Sequence, residues 1–132
     1  MAFLEVTKLR KLFSIVFVAG LMVAGPSLAK DYLGERVVNY GSEKDTILVP
    51  GAKKYRSVQL CVKVHAVRFR DVDAVFGNGG RQDFKLRRVI GKGECTRWIN
   101  LRGPKRNITK IVLRYDTYGN AGPKARVIAY GR

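Results

Sequence analysis

The chain is poor in the residues that most enzyme active sites need. It has a single histidine, His65, and after residue 29 its only serines are Ser42 and Ser57, neither within a G-x-S-x-G segment. That segment is the sharp turn that exposes a nucleophilic serine, and a lone histidine in or beside a strand is more often structural than catalytic. We therefore predict that the protein is not an enzyme and uses no cofactor.

Acidic residues are also scarce, with 10 Asp and Glu against 26 Lys and Arg, a net charge of +16. The first 29 residues hold three of the basic and one of the acidic residues, so the remainder still carries +14. Such a charge opposes compactness and attracts polyanions. Charge alone does not distinguish a binding surface from a solvated one.

No apolar run is long enough for a comfortable membrane span, which needs roughly 20 residues. The longest run, Leu12 to Gly25, has 14 residues and follows the basic residues Lys8, Arg10 and Lys11. Pro26-Ser27-Leu28-Ala29 then places small residues where a signal peptidase cuts. We predict a signal peptide over 1–29, a single mature domain over 30–132, and export to the periplasm or the medium. The alternative is an uncleaved anchor.

Only two cysteines are present, Cys61 and Cys95. In an oxidising compartment such a pair can close a disulfide, and a loop of about 35 residues would contribute roughly 4 kcal/mol in the chain-entropy account. Two free thiols are the alternative. No third or fourth soft ligand accompanies the pair, so we predict no metal site there.

The chain after residue 29 shows short alternating strands separated by turns and no helical period. This pattern predicts an all-β fold, a small antiparallel β-sandwich of about eight strands, with a closed barrel as the alternative. A loop is expected over Tyr118 to Lys124, and a bulge near Arg70-Asp71. The expected strands are Leu33 to Val38, Thr46 to Val49, Val58 to Val62, Val64 to Phe69 continuing into a hairpin, Cys95 to Leu101, Ile108 to Tyr115 and Ala125 to Tyr130.

The hairpin spans Phe69 to Ile90 and turns at Gly77-Asn78-Gly79-Gly80. A three-residue loop at 78–80 with a glycine bulge places Val72, Ala74, Phe76, Phe84 and Leu86 on one apolar face. It also predicts that Asp73 faces Lys85 and Asp71 faces Arg87, as opposite-charge pairs. Such pairs favour salt bridges over a Ca²⁺ site at the two aspartates.

Several short segments occur in a recognisable order: Leu33-Gly34, Asp45-Thr46-Ile47, Val75-Phe76-Gly77-Asn78-Gly79, Arg97 with Ile99 and Leu101, Arg106 with Ile108 and Ile111, Tyr115-Asp116 and Gly131. Together they resemble one group of short exported bacterial proteins catalogued as a domain of unknown function. The resemblance spans nearly all of the mature chain, and it implies a signal peptide followed by a small all-β domain without a known activity.

One cluster of residues suggests a ligand site. Trp98 alternates with the apolar Ile99 and should face away from the core, among Arg97, Arg102, Lys105 and Arg106. An exposed tryptophan beside guanidinium groups can stack on a sugar or base while the cations hold phosphate or carboxylate. Plain packing of Trp98 is the alternative. We take Lys44, Lys53 and Lys54 as cations remote from this cluster.

Two functions follow from these features. The first is an exported, non-enzymatic domain that binds an anionic glycan, lipopolysaccharide or nucleic acid through a basic patch. The second is a structural or protein-interaction domain of the cell envelope in which the charge serves solubility. Clustering of the cations favours the first, and an exposed apolar patch favours the second.

Overall fold

The computed structural model describes residues 29–38, 41–117 and 124–132. The predicted signal peptide and the loop predicted over 118–124 lie outside the described residues, apart from Ala29 and Lys124. Within the described ranges the chain forms strands and turns and no helix, and so no helix there is long and apolar enough to cross a membrane. The strands are β1 Asp31–Val37, β2 Gly41–Leu48, β3 Lys54–Tyr55, β4 Ser57–Lys63, β5 Val67–Phe76, β6 Arg81–Asp83, β7 Val89–Ile90, β8 Ile99–Asn100, β9 Arg106–Thr117 and β10 Arg126–Gly131.

Two antiparallel sheets make up the fold. A small sheet has the order β1-β10-β4-β8, and a large sheet has the order β2-β9-β5-β6, with β3 paired to β9 and β7 paired to β5. The inner faces of both sheets contribute to one buried apolar cluster, from Leu60 and Val127 of the small sheet to Ile111 and Leu113 of the large one. The predicted all-β sandwich is therefore confirmed, and the two sheets do not close into a barrel.

The alternation of side chains in β4 and β10 explains why the small sheet has two different faces. Val58, Leu60 and Val62 point into the core and are fully buried, whereas Gln59 between them faces outward. Tyr130 pairs with Gln59 and lies on the same outer face.

Close contacts explain some of the short segments on which the family resemblance rests. The buried Tyr115 donates its hydroxyl to Asp45 Oδ2 at 2.6 Å. A side chain at Gly34 would place its Cβ 2.8 Å from the carbonyl oxygen of Leu48, and one at Gly131 would lie 2.8 Å from the ring of Tyr55. The hydrogen bond of Tyr115 thus links β9 to β2, and the two glycines let neighbouring residues approach more closely than a side chain would allow.

The hairpin confirms the predicted faces but not the predicted register. Phe76 accepts a hydrogen bond from Gly79 N at 2.9 Å and donates one to Gly80 O at 2.8 Å. The loop is therefore Gly77-Asn78-Gly79, one residue earlier than predicted, and Gly79 takes the positive φ of 89°. Because both ends of the loop move, the pairing shifts by two residues and every side chain keeps its face.

The shift changes the partners on the outer face. Asp73 lies opposite Asp83, and its ion pair is with Arg81 at 3.2 Å. The predicted pair Asp73–Lys85 is therefore wrong. Asp71 does lie near Arg87, since the two residues line one concavity. The predicted bulge is confirmed, because the pairing of β5 with β9 slips between Phe69 and Asp71.

Candidate polyanion-binding surface

Cys61 and Cys95 form the predicted disulfide, with Cα atoms 4.0 Å apart. Cys61 lies on β4 and forms an isolated antiparallel bridge with Cys95. Hydrogen bonds from Val62 N to Glu94 O at 2.9 Å and from Thr96 N to Leu60 O at 2.8 Å hold the same segment. The disulfide thus fixes the segment that leads into Trp98 and β8.

A buried glutamine positions the loop after β8. Gln82 is 7% exposed. Its Nε2 donates to Asn100 O at 3.1 Å and its Oε1 accepts from Arg102 N at 2.8 Å. Arg97 and Arg102 line one concavity of about 450 Å³ beside this glutamine. In the alternating hairpin pattern Gln82 shares the face of Phe84, but no local pattern indicates that it binds the 100–102 backbone.

Arg106 lies next to Arg102 and is held by two contacts. Its Nη1 donates to Arg102 O at 3.1 Å, and its guanidinium lies over the ring of Phe76, 3.9 Å from the ring centre. With one face on an aromatic ring, the guanidinium is held in place while its edge faces solvent.

Lys105 lies between two further concavities of this surface. One, of about 440 Å³, is lined by Lys54, Lys105 and Arg106 among others. The other, of about 410 Å³, is lined by Lys54, Lys105 and Arg132 among others. Lys54 reaches this position because β3 pairs with the start of β9, with Lys54 opposite Asn107.

Trp98 faces away from the core, as predicted, and is partly exposed, whereas Ile99 beside it is buried. The guanidinium of Arg132 lies 4.3 Å from the centre of its ring. The tryptophan thus carries a cation on one face, and Arg132 connects it to the concavity that contains Lys105.

Together these contacts define one continuous group of cations, which we call the basic surface. The structure brings together all four predicted cations and adds Arg132, which sequence reasoning missed. Lys53 and Lys54 were taken as remote, and that expectation is wrong, because both line a concavity with Lys105. Of the two, Lys53 is paired with Asp31, whereas Lys54 joins the group of unpaired cations. The basic surface consists of Lys54, Arg97, Arg102, Lys105, Arg106 and Arg132.

Two carboxylates line concavities of the basic surface, Asp31 beside Lys105 and Asp83 beside Arg97, but neither forms an ion pair with one of its six cations. Among the described residues, the ion pairs are Arg36–Asp45, Lys53–Asp31, Arg70–Asp116, Arg81–Asp73 and Arg126–Glu35. None of them includes a cation of the basic surface. Its positive charge is therefore available to an external anion.

A second group of cations lies at the other end of β5, and we call it the arginine cluster. It lines a concavity of about 560 Å³ together with Phe69 and Asp71. Arg68 is eight residues from Phe76 along β5, or roughly 25 Å at the usual strand rise. The arginine cluster consists of Arg68, Arg70, Arg87 and Arg88.

Three carboxylates on the hairpin form an acidic cluster. One oxygen each of Asp71, Asp73 and Asp83 lies within 4.8 Å of the others. Burial, followed by the charges of Asp73 and Asp83, raises the pKa of Asp71. A hydrogen bond from Lys85 N lowers the pKa of Asp83. Carboxylates so close can hold a cation, but Arg81 already neutralises Asp73.

His65 lies in the turn between β4 and β5 and is partly buried. The strand predicted from Val64 begins only at Val67, because Val64 takes a positive φ of 78°.

Comparison with known proteins gives one family match and a distant structural similarity. A family model described as "Domain of unknown function (DUF2541)" matches residues 12–131 and confirms the predicted resemblance. No curated protein matches. A solved structure of Pseudomonas aeruginosa AlgX is similar with a TM-score of 0.45 and 11% identity, over 82% of this chain and 27% of that one.

Proposed function

The chain belongs to the DUF2541 family, and we propose that this member is an exported, non-enzymatic domain that binds anionic polymers of the cell envelope or the medium. The observation that carries the proposal is the basic surface, six cations in contact or in shared concavities. Phosphate or carboxylate groups repeated along a polymer would engage several of them at once.

Two features fix the geometry of the surface before a ligand arrives. Arg106 and Arg132 each lie over an aromatic ring, and the backbone of Arg102 is held by the buried Gln82. Pre-ordered cations lose less conformational entropy on binding than free ones. Export is supported by the disulfide, which persists in oxidising compartments.

The exposed apolar residues support the alternative function, a protein-interaction domain, less well than the basic surface supports polyanion binding. The large ones among the described residues are Tyr32 and Val37 on β1, Leu48 on β2, Val64 in the β4–β5 turn and Val89 on β7. They lie on four elements of both sheets, whereas the six cations of the basic surface are in contact or share concavities. Binding of an anion is therefore favoured over docking of an apolar protein surface.

The test measures affinity for a DNA duplex, used as a polymer with regularly spaced phosphates, between about 50 and 200 mM salt. Replacing Arg102, Lys105 and Arg106 together by Gln should reduce the log–log salt slope by about one unit for each lost contact. The matched control replaces Arg68, Arg87 and Arg88 by Gln, which removes the same charge from the arginine cluster.

Comparison of the two triple variants distinguishes binding at the basic surface from attraction by the net charge of the whole protein. The proposal expects the control to keep most of the wild-type slope. An equal loss in both variants would mean that only net charge acts, and the structural function would replace this one. Trp98 is tested with single-stranded DNA, whose bases are free to stack. There Trp98→Ala should weaken binding by roughly 1–3 kcal/mol with little change of slope, because an aromatic contact releases few ions.

A further inference from the structure

Aromatic side chains cross the outer face of the small sheet. Tyr32 on β1 pairs with Tyr130 on β10, and their rings meet edge to face with centres 6.4 Å apart. Tyr130 pairs in turn with Gln59 on β4, and Trp98 immediately precedes β8 at the far side. Four adjacent strands span about 14 Å at the usual strand spacing. An elongated ligand could contact all three aromatic residues.

A groove of about 570 Å³ adjoins Tyr130 on this face. Its apolar part is formed by the Cys61–Cys95 disulfide, Val64 and the tyrosine ring. This volume lies within the range typical of small-molecule sites. We call it the disulfide groove.

Three lysines surround the disulfide groove. Lys63 and Lys92 line it together with Lys30, whose Nζ lies 4.1 Å from the centre of the Tyr130 ring. None of the three takes part in an ion pair with a described residue. Two acids lie near this side of the sheet. Glu35 is engaged by Arg126 and by the hydroxyl of Tyr32, and Glu94, between the groove residues Gly93 and Cys95, accepts a hydrogen bond from Gly91 N at 2.7 Å.

We propose that the outer face of the small sheet binds an acidic polysaccharide along the aromatic row and the disulfide groove. A pyranose ring has an apolar C–H face that packs on an aromatic ring, and the carboxylates of a uronic acid polymer recur along the chain at its edge. Tyr32 and Tyr130 supply the apolar contact, and the lysines of the groove supply the charge.

The apolar part of this face favours a glycan over a nucleic-acid duplex. The stacked bases of a duplex cannot reach the aromatic rings of a sheet face, so only its phosphates could be bound here. The apolar lining of the groove would then have no function. The inference deepens the proposed function by naming a ligand class. Its surface meets the basic surface at Trp98 and Arg132 but does not include Arg102, Lys105 and Arg106.

The experiment measures binding of a short oligogalacturonate by calorimetry, with its methyl ester as the uncharged probe. Wild-type protein should bind the acid, bind it less tightly as salt increases, and bind the ester at least roughly tenfold more weakly, a difference of about 1.4 kcal/mol. Equal binding of acid and ester would overturn the role of the lysines.

Variants then locate the site. Tyr130→Ala should weaken binding roughly tenfold, about 1.4 kcal/mol, and Lys63→Gln with Lys92→Gln should weaken it and reduce its salt dependence. Tyr32→Ala serves as a second aromatic variant, because Tyr32 is 58% exposed and its removal leaves the core unchanged. The control replaces Lys44 and Lys110, exposed cations of the large sheet, by Gln.

The basic-surface variant separates this inference from the proposed function. The variant in which Gln replaces Arg102, Lys105 and Arg106 should lose salt-dependent binding of the duplex. Its affinity for oligogalacturonate should stay within about twofold of wild type, a change in binding free energy less than half as large as that of a tenfold loss. Loss of oligogalacturonate binding in that variant, with normal binding in the Tyr32 and Tyr130 variants, would overturn the inference alone. Single-stranded DNA that binds more tightly than the oligogalacturonate and is weakened by Tyr130→Ala would assign the face to nucleic acid instead.

Discussion

Removal of the disulfide should destabilise the domain by an amount that its loop length sets. Cys61 and Cys95 are 34 residues apart, and closing a loop of about this size costs the unfolded chain entropy worth roughly 4 kcal/mol. The folded state should change little in Cys61→Ala/Cys95→Ala, because backbone hydrogen bonds from Val62 and Thr96 still hold the cross-linked segment to β4. The effect therefore lies mainly in the unfolded state.

Urea unfolding of the double variant, compared with oxidised wild type, measures this loss. The midpoint should fall, and the melting temperature should decrease by about 15–30 °C for a domain of this size. Wild type in reductant should match the variant. A loss below about 1 kcal/mol, with unchanged m-value, would refute the chain-entropy argument and leave the hydrogen bonds as the main restraint.

Two further predictions concern the start of the mature chain and the acidic cluster. The exported protein should begin at Lys30, which intact mass would show, and a mass that retains Leu12 to Gly25 would contradict it. The pKa of Asp71 is raised in the folded state, so its ionisation opposes folding. The wild type therefore loses stability as the pH rises from about 4 through the folded pKa. Asp71→Asn removes this loss and should raise the free energy of unfolding at neutral pH. Unfolding curves should converge on acidification, and a variant less stable than wild type at pH 7 would contradict this account.

The hairpin shows how far sequence patterns determine a fold. Alternation has a period of two, so it assigned Val72, Ala74 and Phe76 to the buried face in any register that differs by an even number of residues. It could not choose between Gly79 and Gly80 for the positive φ. The choice depends on Gly77, whose N–H donates to Asn107 O at 2.9 Å. That contact comes from β9, about 30 residues along the chain, and no local rule contains it.

The candidate site was predicted only where its residues are close in sequence. Arg97 to Arg106 form a short segment, and the structure keeps them together. Lys54 joins them through the pairing of β3 with β9, and Arg132 joins them by lying over Trp98. Neither contact leaves a local signal, because a two-residue strand is too short for alternation to be visible.

The order of strands has a consequence for how the molecule acquires its structure. β1 lies at the edge of the small sheet and pairs with β10, so the first strand after the predicted cleavage site depends on the last strand of the domain. A chain emerging from a membrane channel with its N-terminus leading cannot complete the small sheet until residues 126–131 have also emerged. Such non-local pairing is typical of folding in milliseconds to seconds. During that interval a net positive charge, by mutual repulsion, would delay association with other unfolded copies.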